Sequence, residues 1–319
     1  MLRCAKGAAG LIAIVILAVV FSPRALDGSI IFLDSGNLTD VLRQVSVVGI
    51  IALAMTYVIL TGGIDLSVGS ILALSTCVLA TVLTEWSPAI GYGGHITLAV
   101  LAAVAASALV GTINGFVIST LAIPPFIVTL ATMIGIRGLA KRLTNNATLN
   151  IGFGHDAAGL FADVVGSKLL AIVLLSLLAA IFWLVLTRTV FGRYVRAIGD
   201  NERAARYTGL PLRAVKVWVY TLSGMVAGVA GVLYAAQANQ GDPNSGVAYE
   251  LDVIAAVVIG GTSLAGGRGS IAGTIVGILI IGVLTNILGL NNVDSNVQMM
   301  IKAVIIIFAV WIQKLERTE

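Results

Sequence analysis

The stretch Leu169-Leu-Ala-Ile-Val-Leu-Leu-Ser-Leu-Leu-Ala-Ala-Ile-Phe-Trp-Leu-Val-Leu186 contains no charged residue. An uncharged apolar run of this length is typical of a helix that crosses a lipid bilayer, which needs about 20 residues. Composition extends this interpretation to the whole chain, because 58% of the 319 residues are hydrophobic and only 11% are charged. Soluble domains average roughly 45–50% apolar and about 25% charged residues. The sequence therefore predicts an integral membrane protein with no room for a soluble catalytic domain.

Nine further apolar runs predict an all-α, polytopic protein with about ten spans, forming a single transmembrane domain over residues 1–319. The predicted helices lie near residues 7–22, 41–61, 66–84, 96–118, 123–140, 168–188, 214–236, 251–263, 270–289 and 297–313. Two of them, 66–84 and 251–263, are short or rich in glycine. This indicates either broken helices along a solute path or tilt and close packing of helices through small residues.

Basic residues set the expected orientation, since Lys and Arg are retained on the cytoplasmic side of membrane proteins. They cluster before the first span, after the last span and within residues 189–213. Both termini and this connection are therefore expected in the cytoplasm. Lys141 and Arg142 fit less well, because they fall on the predicted outer side. On the same side, the segment 144–167 is predicted to be a structured external loop.

The connection after the sixth span contains a short predicted helix with both ends marked. Asp200 is a suitable N-cap, Gly209 suits the position after the last turn, and Pro211 prevents continuation. The eight residues 201–208 between the caps would give about 12 Å of helix. So short a helix is marginal alone in water. We expect it either to dock on a cytoplasmic partner or to be part of a solvated basic loop.

A second polar segment, Thr61-Gly-Gly-Ile-Asp-Leu-Ser-Val-Gly69, joins two spans almost without a hydrophilic loop. Its only charge is Asp65, and a carboxylate at bilayer depth costs about 2.5–3.5 kcal/mol on insertion scales. Asp65 and Ser67 are expected either to cap the next helix or to face a solute path. The segment also resembles residues 260–270 faintly, which would be consistent with an internal repeat.

Uncharged polar side chains within other spans suit a neutral polyhydroxyl solute better than an ion, although each of them could equally join two helices. Because the bilayer tolerates polar groups only beside a cavity or protein, a solute path is predicted near Asp65, Ser67, Asn114, Thr262, Ser263 and Asn286.

Motifs that are missing exclude several kinds of chemistry. No Gly-Lys pair occurs, so the chain lacks a phosphate-binding loop of the G-x-x-x-x-G-K-[ST] type. Cys4 and Cys77 are isolated, and the loop histidines His95 and His155 stand outside any metal-binding pattern. No metal, cofactor or catalytic residue is predicted.

Three segments, Gly62–Ser70, Gly192–Arg206 and Tyr249–Ser270, resemble the signatures of the ribose-type sugar ABC transporter permeases in their order and spacing. The resemblance implies an inner-membrane permease subunit that pairs with a second copy or a paralogue. It also implies a monosaccharide, ribose or a related sugar, that arrives from a periplasmic or lipid-anchored binding protein. Transport would proceed by alternating access, driven by a separate cytoplasmic ABC ATPase.

The same resemblance assigns the segment 192–209 to contact with the ATPase. The residues expected to form this contact are Gly199, Asp200, Asn201, Glu202, Arg203, Ala204, Ala205, Arg206 and Gly209. The alternative function is an ion-coupled secondary transporter that acts alone, which would need ionisable residues near mid-membrane. Its only candidates, Asp65, Arg43, Arg137 and Lys302, are all near predicted span ends.

Overall fold

A computed structural model of the protein describes residues 2–86, 90–151 and 156–315. Over these residues the predicted all-α class is confirmed. The elements are, in order, α1 (Leu2–Val20), a 3₁₀ turn (Ile31–Leu33), α2 (Ser35–Leu60), α3 (Val68–Glu85), α4 (Gly91–Leu121), α5 (Pro125–Leu143), β1 (Leu149–Asn150), α6 (Ala157–Val165), α7 (Lys168–Arg188), α8 (Val190–Asp200), α9 (Glu202–Tyr207), α10 (Leu212–Ala238), β2 (Gln240–Gly241), α11 (Tyr249–Ile259), α12 (Ile271–Leu290) and α13 (Ser295–Leu315).

Each predicted span corresponds to one helix: α1–α5, α7 and α10–α13. Among the described residues, six of these helices are long and apolar enough to cross a membrane by themselves: α2, α3, α4, α7, α10 and α12. The short span predicted at 251–263 is confirmed as α11, whose 11 residues reach about half-way through a hydrocarbon core about 30 Å thick. The glycines at 66–84 do not break a helix, since α3 continues for 18 residues.

The centre of the bundle consists of α2, α3 and α10. In the most apolar stretch of each helix, the buried share is 78% in α2 and 72% in both α3 and α10. In α4 and α7 the corresponding shares are only 28% and 22%. A helix that is apolar on all sides must be surrounded by protein or by lipid. The three central helices are surrounded by protein, so the loop between α2 and α3 begins and ends inside the bundle.

Small residues allow α4 and α10 to approach closely. Gly111 on α4 lies against Gly224 on α10, and a Cβ at Gly111 would overlap the carbonyl oxygen of Tyr220. A Cβ at Gly224 would likewise overlap the carbonyl oxygen of Ser107. Ser107 and Gly111 are four residues apart, as are Gly224 and Gly228. Small residues at this spacing are typical of helices that associate in membranes through backbone contact.

The two segments that resemble each other in sequence end their helices in the same way. Gly62 after α2 and Gly261 after α11 have φ values of +78° and +88°, which glycine adopts without a Cβ clash. Each glycine amide donates to the carbonyl three residues earlier, and the next amide donates to the carbonyl five residues earlier. This is the Schellman arrangement, which satisfies the last carbonyls of a helix. The loops 61–67 and 260–270 thus have a common start.

The described residues of 144–167 and the start of the segment 239–248 lie at the other end of the bundle, and the rest of the second segment runs inward along α3 until Gly246 contacts Gly69. β1 pairs with β2 in antiparallel register, with Leu149 opposite Gly241. The guanidinium of Arg137 on α5 donates to the carbonyl oxygens of Pro243 and Ser245 at 2.7 and 2.6 Å. Together with α6, these contacts confirm that the described part of 144–167 is structured.

One histidine lies elsewhere than expected. His95 belongs to α4, which begins at Gly91 rather than at the predicted residue 96. Its Nε2 lies 2.7 Å from the carbonyl oxygen of Val82, so this ring joins α4 to the end of α3. His155 lies outside the described residues.

Gly111→Ala is expected to destabilise the protein, because the new Cβ meets backbone atoms of α10 that cannot rotate away. Overpacking of this kind costs about 1–3 kcal/mol. Gly135→Ala on α5 is the matched control: a Cβ there meets nothing within 4 Å, and alanine is preferred to glycine in a helix by roughly 1 kcal/mol. The thermal unfolding midpoint in detergent should fall for the first variant and stay or rise for the second. Equal midpoints would contradict the close contact of α4 with α10.

Candidate solute path and coupling surface

Asp65 lies at the centre of a buried hydrogen-bond network. Its side chain is completely buried, and its Oδ1 accepts bonds from the amide and the hydroxyl of Ser67, at 3.0 and 2.6 Å. Its Oδ2 accepts a bond from the hydroxyl of Ser223 on α10, at 2.8 Å. Donors therefore surround both oxygens, as is required of an acidic group held away from water.

Ser67 extends this network to α4 and α5. Its hydroxyl oxygen accepts a bond from Nδ2 of Asn114 at 3.0 Å, and Oδ1 of Asn114 accepts a bond from the hydroxyl of Thr132 at 2.6 Å. Ser67 precedes α3, but its side chain makes no capping bond to that helix. Ser67 thus occupies the N-cap position of α3, as one of the two alternatives required, but its hydroxyl donates to Asp65 and does not bond the helix.

Thr262 and Ser263 lie in the adjoining loop 260–270, and both side chains are buried. The amide of Ser263 donates to the carbonyl oxygen of Arg268 at 2.8 Å, which closes the loop on itself. The amide of Gly267 donates to the carbonyl oxygen of Leu60 at 3.0 Å, which joins this loop to the end of α2. Five of the six predicted path residues thus lie at one end of the bundle.

Asn286 lies at the other end. Its side-chain amide exchanges two bonds with that of Asn37 near the start of α2, at 2.8 and 3.2 Å. Asn37 is separated from Asp65 by almost all of α2, which has 26 residues and a length of about 39 Å. Asp65 and Asn286 therefore cannot contact one small solute at the same time. If both line a path, they mark its two ends.

The predicted short helix corresponds to α9, with one difference at its start. Asn201 is the N-cap, and its Oδ1 accepts a bond from the amide of Ala204 at 3.0 Å. The prediction that Asp200 is the cap is wrong, because α8 continues through Asp200 and the backbone becomes extended only at Asn201, with φ −161° and ψ 99°. The helix is accordingly six residues long. Gly209 has φ +76°, as its predicted position requires.

One side of α9 is held by the rest of the protein. Ala205 is 4% exposed, and Nζ of Lys216 on α10 lies 2.8 Å from Oε1 of Glu202. Since Glu202 is in the first turn of α9, its charge also interacts favourably with the helix dipole. These contacts fix the orientation of a helix that would be marginal alone.

The other side of α9 is exposed and basic. Arg203, Ala204 and Arg206 are all exposed, and Tyr207 is exposed to 89%. Arg206 lies 3.8 Å from Glu202 in the preceding turn, an exposed pair that contributes little to stability. Two guanidinium groups and an aromatic ring thus form a surface that can contact an acidic or polar partner.

The end of α8 contacts both loops through glycine backbone. A Cβ at Gly199 would overlap the carbonyl oxygen of Leu60, and a Cβ at Gly267 would overlap the carboxylate of Asp200. Backbone therefore contacts backbone, with no flexible side chain between α8 and the end of α2. A displacement of α8 and α9 would reach the loop that holds Asp65.

Two members of the Asp65 network were not among the predicted path residues. Thr132 is a hydroxyl on a predicted span, and Ser223 is a serine among the small residues of α10. In a membrane helix, such residues usually serve close packing. Their spacing gives no signal that distinguishes a bond to a distant carboxylate from helix contact.

Comparison with known proteins identifies the family. A profile described as "Branched-chain amino acid transport system / permease component" matches residues 37–310. The chain belongs to this permease family. It is 40% identical over 303 residues to the ribose import permease of Escherichia coli K12, covering 94% of this chain and 91% of that protein. It is 41% identical over 310 residues to the ribose import permease of Bacillus subtilis 168, covering 96% and 91%.

More distant relatives include the xylose transport permease of Escherichia coli K12, which is 32% identical over 361 residues, covering 94% of this chain and 90% of that protein. No significant match to a solved structure was found. The resemblance carried by the three sequence segments is thus confirmed, and this permease is a multi-pass protein of the bacterial inner membrane. Its family is one of transport subunits rather than of enzymes.

Asp65→Ala is expected to destabilise this permease by about 3 kcal/mol, because it leaves buried donors of Ser67 and Ser223 without an acceptor. Asp27→Ala is the matched control: Asp27 accepts the same two bonds from the amide and hydroxyl of Ser29, at 2.9 and 2.6 Å, but in an exposed turn. Thermal unfolding in detergent should show a lower midpoint for the first variant only. Similar midpoints would show that the buried network does not stabilise the fold.

Proposed function

We propose that this permease is the membrane-spanning subunit of an ABC importer for a monosaccharide, ribose or a related sugar. The observation that carries the proposal is the 40% identity with a ribose import permease over 94% of the chain. Other relatives are named for L-arabinose, fructose and xylose. The relatives therefore agree on sugars as a class.

The polar side chains at both ends of the proposed path support a neutral solute. Apart from Asp65, they carry hydroxyl or amide groups: Ser67, Asn114, Thr262 and Ser263 at one end and Asn286 at the other. Such groups both donate and accept hydrogen bonds, as the hydroxyls of a sugar do. The family description names branched-chain amino acids, but the oxygens of Asp65 already accept bonds from Ser67 and Ser223, and the other five path residues are uncharged.

In this proposal the whole chain, 1–319, is one transmembrane domain that works by alternating access. The sugar enters at the end where Asn286 lies and leaves at the end where the loops 61–67 and 260–270 meet. Backbone outside helices is tolerated at membrane depth only where it is buried in protein or lines a cavity. The two loops fit the role of an inner gate, since they meet through the bond from Gly267 to Leu60.

The residues 189–213, with α9 at their centre, form the cytoplasmic contact with a separate ATPase. The chain contains no Gly-Lys pair and hence no phosphate-binding loop of the P-loop type, so we assign ATP hydrolysis to that partner. The contact between Gly199 and Leu60 would transmit its movement to the gate. A sugar-binding protein would deliver the solute at the opposite end, and a second permease copy or a paralogue would complete the importer.

Uptake of labelled sugar tests this function. Cells without their own ribose transport, expressing the permease with its ATPase and binding protein, should accumulate D-ribose, L-arabinose, D-xylose or D-fructose. Accumulation should stop when the ATPase carries an inactive phosphate-binding loop. Leucine is the control solute, because the family description names branched-chain amino acids. Uptake of leucine alone would contradict the sugar assignment, and uptake without an active ATPase would favour a transporter that acts alone.

Combining Gly209→Val, Arg203→Glu and Arg206→Glu should disconnect the ATPase from the permease. Valine disfavours the positive φ at position 209, and glutamate reverses the charge of the exposed surface of α9. We expect at least a tenfold loss of ATPase co-purifying with the permease in detergent and loss of sugar-stimulated hydrolysis.

The matched control reverses Lys141 and Arg142, which are equally exposed but lie at the end of α5 away from α9. This double variant should retain the ATPase. Unchanged co-purification for the triple variant would show that α9 belongs to a solvated basic connection.

A further inference from the structure

A polar cavity lies in the half of the bundle away from α9, apart from the Asp65 network. It has a volume of about 150 Å³ and lies between α2, α11, α12 and α13. Its polar lining consists of Gln44, Tyr249, Asp252, Thr285 and Lys302, and most of the remaining lining is aliphatic. Thr285 directly precedes Asn286, so the cavity adjoins the outer end of the proposed path.

An ion pair forms one wall of this cavity. Nζ of Lys302 lies 2.9 Å from Oδ2 of Asp252, and the two side chains are 19% and 22% exposed. Asp252 is in the first turn of α11, where the helix dipole favours a negative charge. Lys302 is the eighth residue of α13, about 10 Å from the start of that helix. Charged groups at such a depth are costly, and they commonly mark functional sites.

Lys302 lies on the inward face of α13. Four of the exposed hydrophobic residues of α13, Val297, Met300, Val304 and Ile307, follow a spacing of three and four residues, which places them on one side of the helix. Lys302 is two positions from both Met300 and Val304, which corresponds to about 200° around the helix axis. It therefore lies on the side of α13 opposite to these exposed residues. An ion pair is not needed to pack α13 on α11. Apolar side chains would hold the two helices together without the cost of desolvating two charges.

We propose that this cavity is a binding subsite for the ring of one neutral monosaccharide on its way through the permease. The inference rests on the proposed function, which it deepens by naming where the sugar is held. A cavity of about 150 Å³ in a protein interior can hold a single six-membered ring. The subsite thus matches the size of one ring and is too small for an oligosaccharide.

The lining matches the chemistry of a sugar. The ammonium of Lys302 has three donors, of which Asp252 takes one, while Gln44 and Thr285 supply both donors and acceptors. The ring of Tyr249 and the aliphatic lining can contact the C–H faces of a sugar. Because the ion pair is already neutral as a whole, it favours a neutral ligand over a free anion or cation.

The test separates sugar binding from a tether between α11 and α13. Lys302→Met leaves the partly buried Asp252 without its partner and should lower both the unfolding midpoint and D-ribose uptake. Adding Asp252→Leu removes the stranded charge, and replacing both members of a buried pair by apolar residues often restores stability. We expect the double variant to regain the midpoint of the unmodified permease but to keep at least a tenfold loss of uptake. If the double variant regains both its unfolding midpoint and normal uptake, the ion pair only holds α13 against α11.

An isosteric variant tests the cavity without touching the ion pair. Thr285→Val should raise the KM for D-ribose about fivefold, the loss of one neutral hydrogen bond, with an unchanged unfolding midpoint. Thr187→Val on α7 is the control, since Thr187 is exposed and bonds only within its own helix, to Trp183. An unchanged KM for Thr285→Val would overturn the subsite.

These outcomes are distinct from failure of the proposed function. If the unmodified permease, with its ATPase and binding protein, takes up none of the four sugars, the function itself is wrong. If it takes up a sugar and both Thr285→Val and the Lys302→Met, Asp252→Leu double variant do so equally well, only the subsite is wrong. The sugar that is taken up best replaces D-ribose in the KM measurements.

Discussion

Lipid offers no hydrogen-bond partners. Each polar group of this bundle that is not bonded within a helix must therefore bond to another part of the protein. Two Schellman caps satisfy the ends of α2 and α11, and the amide of Gly267 bonds the carbonyl of Leu60. The carboxylate of Asp65 receives donors on both oxygens. Since the network joins α4, α5 and α10 to the residues before α3, the need to satisfy one acidic side chain constrains how these helices meet.

Close contact between helices at glycine residues is the second constraint on the fold. The contacts of Gly111 with α10 and of Gly199 with Leu60 leave no space for a Cβ. Close contact of this kind replaces the hydrophobic effect, which does not drive helices together in lipid. It also places the backbone of α8 directly against the end of α2, where the loop 61–67 begins. A signal from a cytoplasmic partner could therefore reach the proposed gate without a dedicated chain of polar residues.

Two polar clusters in different parts of the bundle differ in what they can do. Asp65 is completely buried and its bonds are complete within the protein, which suits a fixed joint between helices. The pair of Lys302 and Asp252 is partly accessible and borders a cavity, which suits contact with a passing solute. Asn286 lies near the second cluster, so the path residues predicted together from sequence belong to two separate regions.

The sequence by itself determined the helices, since apolar length and helix-ending glycines are local properties. It predicted that α11 is a short span and that Gly209 follows the last turn of α9. Three of its segments also identified the family. It did not determine that Asn201 rather than Asp200 caps α9, because the extent of α8 depends on contacts with Leu60 and Gly267. Only the tertiary structure joined Ser223 to Asp65 and Lys302 to Asp252, over 158 and 50 residues. Bonds across such separations depend on how helices pack, and a serine or lysine carries no local mark of its partner.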